Sequence, residues 1–165
     1  MRDDLKVTAN EVMDAIKKLD NNKSCGADKI YAEHLKYSCE RLIPLLSLCF
    51  TGFLVHGFMP PSMLNVILLP IIKNKAGNVN SIDNYRPIAL SSIVSKVLEN
   101  IILNRIECYL VTNANQFGFK RNHGTDLCIY TLKELINTYK SLNSCVFTCF
   151  LDASKAFDRV NHSVV

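Results

Sequence analysis

Residues 145–158 read CVFTCFLDASKAFD, an apolar run that ends at a carboxylate, Asp152. The β-branched and aromatic residues of 145–151 predict a buried strand with Asp152 at its carboxyl end. A carboxylate held by a rigid strand at the rim of a sheet can serve as a metal ligand or a nucleophile. The residues leave a second interpretation open, in which Asp152 caps a helix that starts near Ser154. A phosphatase with an aspartyl nucleophile is disfavoured, because Ser154 stands where a second acid is expected.

Two apolar runs upstream predict a β-hairpin. Residues 65–72 read NVILLPII and residues 85–90 read YRPIAL, with a polar, turn-rich segment between them at 74–84. Proline has no N–H for a sheet ladder, so Pro70 and Pro87 confine at least part of this pair to a sheet edge.

Cations stand at the hairpin and at a later turn. Lys73 follows the first predicted strand and Arg86 lies at the start of the second, so in an antiparallel pair they can converge on a polyphosphate. Residues 116–124 read QFGFKRNHG, and Lys120 and Arg121 there stand beside aromatic residues in a turn suited to a sugar-phosphate backbone. Solvated surface cations are the alternative for Lys73 and Arg86, and the turn by itself is ambiguous.

Most other segments are predicted to be helical. Thr8 and Glu11 form a capping-box pattern, and Val7 and Val12 flank it as a hydrophobic staple, so a helix should start at Thr8. The period of the apolar residues predicts further helices over 30–37, 40–55, 92–106 and 125–139.

The first predicted helix ends in a polar loop at residues 20–28. Gly26 in this loop permits a positive φ, since glycine has no Cβ. Asp28 is placed to cap the element that follows.

Composition predicts a folded protein with one domain or part of one. The sequence is 48% hydrophobic and 21% charged, a composition that excludes disorder. Its length of 165 residues is too short for two ordinary domains. A net charge of +4 and a pI of 8.7 permit an anionic partner without requiring one. Seven cysteines without a C-x-x-C pair favour a reducing compartment, no disulfide partner and no zinc site.

No membrane partner is expected. The most apolar stretch, residues 42–55, is interrupted by polar residues and is shorter than the roughly 20 residues that a membrane span needs. The first four residues, MRDD, lack the apolar core of a signal peptide.

Five blocks, taken in order, resemble the reverse transcriptases of non-LTR (LINE-type) retrotransposons. Any single block is a weak signal, but five in the right order over nearly the whole chain are specific. The blocks are SCGADKI (24–30), LPIIK (69–73), NYRPIAL (84–90), QFGFK (116–120) and FLDASKAFDRVNH (150–162).

The resemblance implies an α+β fold, the fingers and partial palm of a right-hand polymerase. It is helix-rich, with a fingers β-hairpin and one palm strand. The expected divisions are a helical N-terminal segment (1–64), the fingers (65–144) and the start of the palm (145–165).

The resemblance also implies roles for particular residues. Lys73 and Arg86 would grip the triphosphate of the incoming dNTP, and Asp152 would be a catalytic ligand of two Mg²⁺ ions with help from the Ala153 carbonyl. Phe157 would stack under the sugar and disfavour a 2′-hydroxyl. The expected partners are an RNA template and a DNA primer, and the expected reaction is attack of the primer 3′-hydroxyl on the α-phosphate.

Two departures from the family pattern bear on activity. Lys120 replaces the usual arginine, a loss of bidentate geometry that Arg121 partly covers, so both are expected at the template. The later block with paired aspartates does not occur within the 165 residues, so this fragment is expected not to hold both ions and to be inactive alone. The alternatives are a catalytically dead remnant that at most binds nucleic acid, and an unrelated helical binding domain.

Overall fold

A computed structural model describes residues 3–153 and 160–161. It divides the chain into two units, residues 1–110 and 111–165. The expected helix-rich α+β architecture with a β-hairpin is confirmed. The first unit contains α1 (Ala9–Lys17), α2 (Ala32–Lys36), α3 (Leu42–His56), α4 (Pro61–Leu64), β1 (Ile67–Ile72), β2 (Tyr85–Leu90) and α5 (Ile93–Ile106), and the second contains α6 (Thr125–Ser141).

Thr8 caps α1 as the sequence predicts. Its Oγ1 accepts a hydrogen bond from the Glu11 N–H at 3.3 Å, and the Glu11 carboxylate accepts one from the Thr8 N–H at 2.8 Å. Val7 and Val12 on either side of this box are buried, so the staple holds the start of the helix against the core.

The hydrophobic core of the first unit lies among α1, α3 and α5. Phe50 of α3 and both Val97 and Ile101 of α5 are fully buried. The opposite face of α3 is open, since Leu45 and Leu48 are exposed. In the described part of the chain, no helix combines the length and the apolar character needed to cross a membrane. The buried cluster consists of Val7, Val12, Ala15, Ile16, Leu19, Ala32, Leu35, Phe50, Ile93, Val97, Leu98 and Ile101.

The loop before α2 corrects the expectation for Gly26. Positive φ angles in this loop occur at Asn22 (58°) and Lys29 (57°), not at Gly26. Gly26 is required for space, because a Cβ there would lie 2.8 Å from the Ser91 carbonyl carbon and from the Ser92 nitrogen. A sequence pattern cannot separate these two uses of glycine, because the crowding comes from a distant segment.

β1 and β2 form an antiparallel hairpin in which Pro70 lies opposite Pro87. The Lys73 N–H donates to the Asn84 carbonyl at 2.7 Å, which sets the alternation along β1. The backbone N–H and C=O groups of even-numbered residues in β1 therefore point away from β2. The position of Pro70 is one of these, and the position of Pro87 directly opposite likewise points its backbone groups away from β1. The missing N–H of each proline costs no bond between the strands, and the predicted edge position of both prolines is confirmed.

Arg105, near the end of α5, connects this helix to α1 and to the segment that precedes α1. Its Nε and one terminal nitrogen donate to the Glu11 carboxylate at 2.6 and 2.9 Å. Its terminal nitrogens also donate to the carbonyls of Asp4 and Lys6 at 3.0 and 2.6 Å. The hydrogen bonds that Glu11 accepts from Arg105, together with those from Thr8, lower the pKa of Glu11 from 4.5 to about 2.

We expect Arg105→Ala to lower the free energy of unfolding by about 2 kcal/mol near neutral pH, since it removes two charge-assisted bonds to Glu11. A carboxyl with a depressed folded-state pKa stabilises the fold above its unfolded-state value, near 4.5 for Glu11, and loses that effect as pH falls toward 2. The variant should therefore lose less stability than the wild type across this range. Urea unfolding at neutral and acidic pH measures both effects.

Lys17→Ala is the control. Its ion pair with Asp14 is 4.0 Å long and both side chains are about two-thirds exposed, at 67% and 64%, so its removal should change stability little. An Arg105→Ala protein with the wild-type acid dependence would contradict the assignment of this dependence to Glu11.

The strand predicted over residues 145–151 is not formed, and this expectation is wrong. The segment has no assigned secondary structure, and Phe147 and Leu151 are 96% and 94% exposed. A strand requires a neighbour to receive its backbone hydrogen bonds, and the described sheet consists of β1 and β2 only. Among the described residues, this apolar segment therefore has no strand with which to pair.

Candidate functional site

Lys73 and Arg86 lie at the same end of the hairpin. Arg86 is directly opposite Ile71 in the register. Lys73 follows the last residue of β1, and its N–H donates to the carbonyl of Asn84, two residues before Arg86. This juxtaposition can present a point charge and a planar fork to one polyphosphate.

The local contacts of Lys73 direct it toward the loop. Its Nζ donates to the Asp83 carbonyl at 2.8 Å, while its N–H donates to the Asn84 carbonyl. The ammonium group has three donors, so one backbone contact leaves capacity for an anion.

Asn84 is a residue that the sequence interpretation missed. Its Oδ1 accepts from the Asn74 N–H at 3.1 Å, and its Nδ2 donates to the carbonyls of Asn74 and Asn78 at 3.0 and 3.3 Å. The amide thus closes the loop between the strands and sets the end of the hairpin where Lys73 stands. The signal that could have indicated this role is the position of an asparagine at the end of a turn-rich segment.

The basic turn of the second unit is built by short-range contacts. The Lys120 Nζ donates to the Asn113 carbonyl at 3.2 Å, and His123 Nδ1 lies 3.0 Å from the Arg121 carbonyl oxygen. The ring of Phe119 is 97% exposed, on a residue with a φ of 55°. Lys120, Arg121 and an open aromatic ring therefore occur within one surface turn, a combination that suits a nucleic-acid strand.

Asp152 and Ala153 lie in the exposed segment that follows residue 151. Phe157 lies outside the described residues, as does the helix start near Ser154 that Asp152 was alternatively expected to cap. Within the residues that the structure describes, no three His, Cys, Asp or Glu side chains group together as a metal site. One exposed carboxylate does not fit a pair of Mg²⁺ ions, which require several oxygen ligands held in place.

Comparisons with known proteins cover almost the whole chain. Residues 72–164 match the family "Reverse transcriptase (RNA-dependent DNA polymerase)". The RNA-directed DNA polymerase from mobile element jockey of Drosophila melanogaster is 31% identical over 161 residues, which are 94% of this chain and 17% of that protein. The probable RNA-directed DNA polymerase from transposon BS, also of Drosophila melanogaster, is 32% identical over 162 residues, 94% of this chain and 18% of that protein.

A more distant relative shows the same relation. The retrovirus-related Pol polyprotein from the type-1 retrotransposable element R2 of Popillia japonica is 28% identical over 114 residues, 68% of this chain and 16% of that protein. The chain thus spans less than a fifth of the length of these relatives. Because the family match covers more than half of the residues, and because relatives named as RNA-directed DNA polymerases of mobile elements match 94% of the chain, the chain belongs to the reverse transcriptase (RNA-dependent DNA polymerase) family.

Proposed function

We propose that this chain is part of an RNA-directed DNA polymerase of a non-LTR retrotransposon and that its hairpin binds the triphosphate of the incoming dNTP. The observation that carries the proposal is that Lys73 and Arg86 lie at the same end of the hairpin. A triphosphate spreads its charge over several oxygens, so it matches a lysine point charge beside an arginine fork.

The basic turn is proposed to hold the template. Lys120 and Arg121 supply positive charge to the sugar-phosphate backbone, which positions a strand without reading its sequence. The open ring of Phe119 is suited to stack against an unpaired base. An RNA template and a DNA primer are the proposed partners.

The proposal for residues 152–157 concerns binding. Reverse transcriptases generally use divalent metal ions. We propose Mg²⁺ as the ion, with Asp152 as one carboxylate ligand, the Ala153 carbonyl beside it and Phe157 under the sugar. The described residues do not complete this metal site.

A catalytically dead remnant that binds nucleic acid is the second candidate. It is favoured by the exposed position of Asp152, with no metal-binding group among the described residues. The two candidates differ in the hairpin, because only a polymerase requires selective binding of a nucleoside triphosphate.

Arg86→Ala is expected to weaken triphosphate binding about tenfold, because charge-assisted hydrogen bonds to phosphate are among the stronger polar contacts. The measurement is an NMR titration of the 165-residue chain with dTTP in metal-free buffer. Arg86→Lys should recover part of the affinity, since it keeps the charge and loses the fork.

Arg41→Ala is the matched control, since this exposed arginine precedes α3, away from the hairpin in the sequence. It should retain the wild-type affinity for dTTP. Equal weakening by Arg41→Ala and Arg86→Ala would indicate non-specific charge attraction and would overturn the assignment of the hairpin as the triphosphate site.

A further inference from the structure

The first turn of α5 lies at the base of the hairpin. β2 ends at Leu90 and α5 begins at Ile93, so two residues separate them. The hairpin projects with both faces open, as the exposures of 60% for Leu68 and 52% for Ile71 on opposite faces indicate. Its orientation on the helical core must therefore be set mainly at this base.

A carboxylate from a distant loop reaches this base. The Ser92 hydroxyl donates to Asp28 Oδ2 at 2.6 Å, and the same Ser92 oxygen accepts from the Val94 N–H at 3.2 Å. Ser92 is 2% exposed and is the N-cap of α5. Asp28 therefore acts on the β2–α5 junction rather than on α2, whose N-cap is Tyr31.

Three further features favour the same contact. The other Asp28 oxygen accepts from the Ile30 N–H at 3.1 Å, and the Lys29 N–H donates to the Gly26 carbonyl at 3.1 Å, so the loop is folded as a tight turn. The missing side chain of Gly26 lets this turn meet the backbone of residues 91–92. A negative charge near the start of α5 is also favoured by the helix dipole.

The other strand is tied to the same helical turn. The Ser95 hydroxyl donates to the Met63 carbonyl at 2.7 Å, and Met63 belongs to α4, which immediately precedes β1. Ser95 is 4% exposed, so this contact is sheltered from water. The segment before β1 is thus held to the first turn of α5 through Ser95, while β2 joins that turn directly through residues 91 and 92.

We propose that Asp28 is a positioning residue for the hairpin, acting through Ser92. Its carboxylate secures the β2–α5 junction, and this holds Arg86 and Lys73 in the orientation in which they meet a triphosphate. The proposal rests on the proposed function for its effect on binding, while its effect on the hairpin is independent of that function. Asp28 itself contacts neither nucleotide nor metal.

The test measures amide hydrogen exchange of the full 165-residue chain together with its affinity for inorganic triphosphate. In Asp28→Ala we expect hairpin amides over 67–72 and 85–90 to exchange about tenfold faster, since removal of a bond to a charged acceptor favours local opening. Triphosphate affinity should fall as well, by the factor by which the competent fraction of the hairpin falls. Amides of α1 should keep their wild-type exchange rates.

Variants of Ser92 separate positioning from general destabilisation. Ser92→Ala should reproduce the Asp28→Ala pattern, and Ser92→Thr, which keeps the hydroxyl, should restore wild-type hairpin exchange and triphosphate affinity. Asp14→Ala removes an exposed carboxylate from α1 and should leave both measurements unchanged.

Wild-type exchange in the hairpin of Asp28→Ala would overturn the proposal, as would equal acceleration in α1 and the hairpin. Faster hairpin exchange in Asp28→Ala, combined with wild-type dTTP affinity in Arg86→Ala, would support the positioning role of Asp28 and would overturn the hairpin as the triphosphate site. The two proposals can therefore fail separately.

Discussion

The 165-residue polypeptide by itself is expected to add no labelled nucleotide to a primer on an RNA or DNA template, with Mg²⁺ or with Mn²⁺. Nucleotidyl transfer by two metals requires several carboxylates at fixed positions. Asp152 is the carboxylate implicated by the resemblance, and it lies in an exposed segment without a metal-binding group around it in the described residues. No incorporation of nucleotide above background is expected.

Primer extension on a denaturing gel, with an Asp152→Asn protein as the control, measures this outcome. Both proteins should leave the primer at its original length. Extension by the wild-type chain above the level of the control would contradict the prediction and would show that these residues form a catalytic site.

Asp152→Ala is expected to abolish synthesis in a chimera in which this chain replaces the matching 161-residue segment of the jockey polymerase. The substitution removes a proposed metal ligand and no contact to the template. Template affinity should therefore remain at the level of the unsubstituted chimera. Filter binding of labelled RNA and single-nucleotide incorporation measure the two properties separately.

Asp126→Ala is the matched control, an exposed aspartate in the first turn of α6 that should leave synthesis close to the unsubstituted level. In the same chimera, Phe157→Val should retain DNA synthesis and admit ribonucleotides more readily, if the ring lies under the sugar. Turnover by Asp152→Ala, or an unchanged sugar preference in Phe157→Val, would show that the residue assignment of this block is wrong.

Local patterns predicted the elements that local chemistry builds. Thr8 and Glu11 satisfy each other's backbone groups over three residues, so the start of α1 could be predicted and is confirmed. The hairpin could be predicted equally well, because its two apolar runs lie close in the sequence and pair with each other. Lys73 and Arg86 come to the same end of the hairpin as a direct result of that pairing.

Contacts between distant segments were the part that sequence patterns could not predict. The Asp28–Ser92 bond joins residues 64 positions apart, and nothing near Asp28 distinguishes it from a helix cap. Residues 145–151 carry the composition of a strand, yet a strand forms only where a partner supplies the other half of its hydrogen bonds. Composition records the tendency of a segment, and the presence of a neighbour decides the outcome.

The closure of the hairpin loop by Asn84 has a consequence for insertions and deletions. Because Asn84 joins Asn74 and Asn78 by side-chain bonds, the turn between the strands can change length while the strand ends stay together. Within a strand, a change in length is not tolerated. Deleting one residue within β1 would shift the alternation by one and move the side chains on one side of the deletion to the opposite face of the hairpin. Among natural variants of this segment, length differences should therefore fall in the turn and not in the strands.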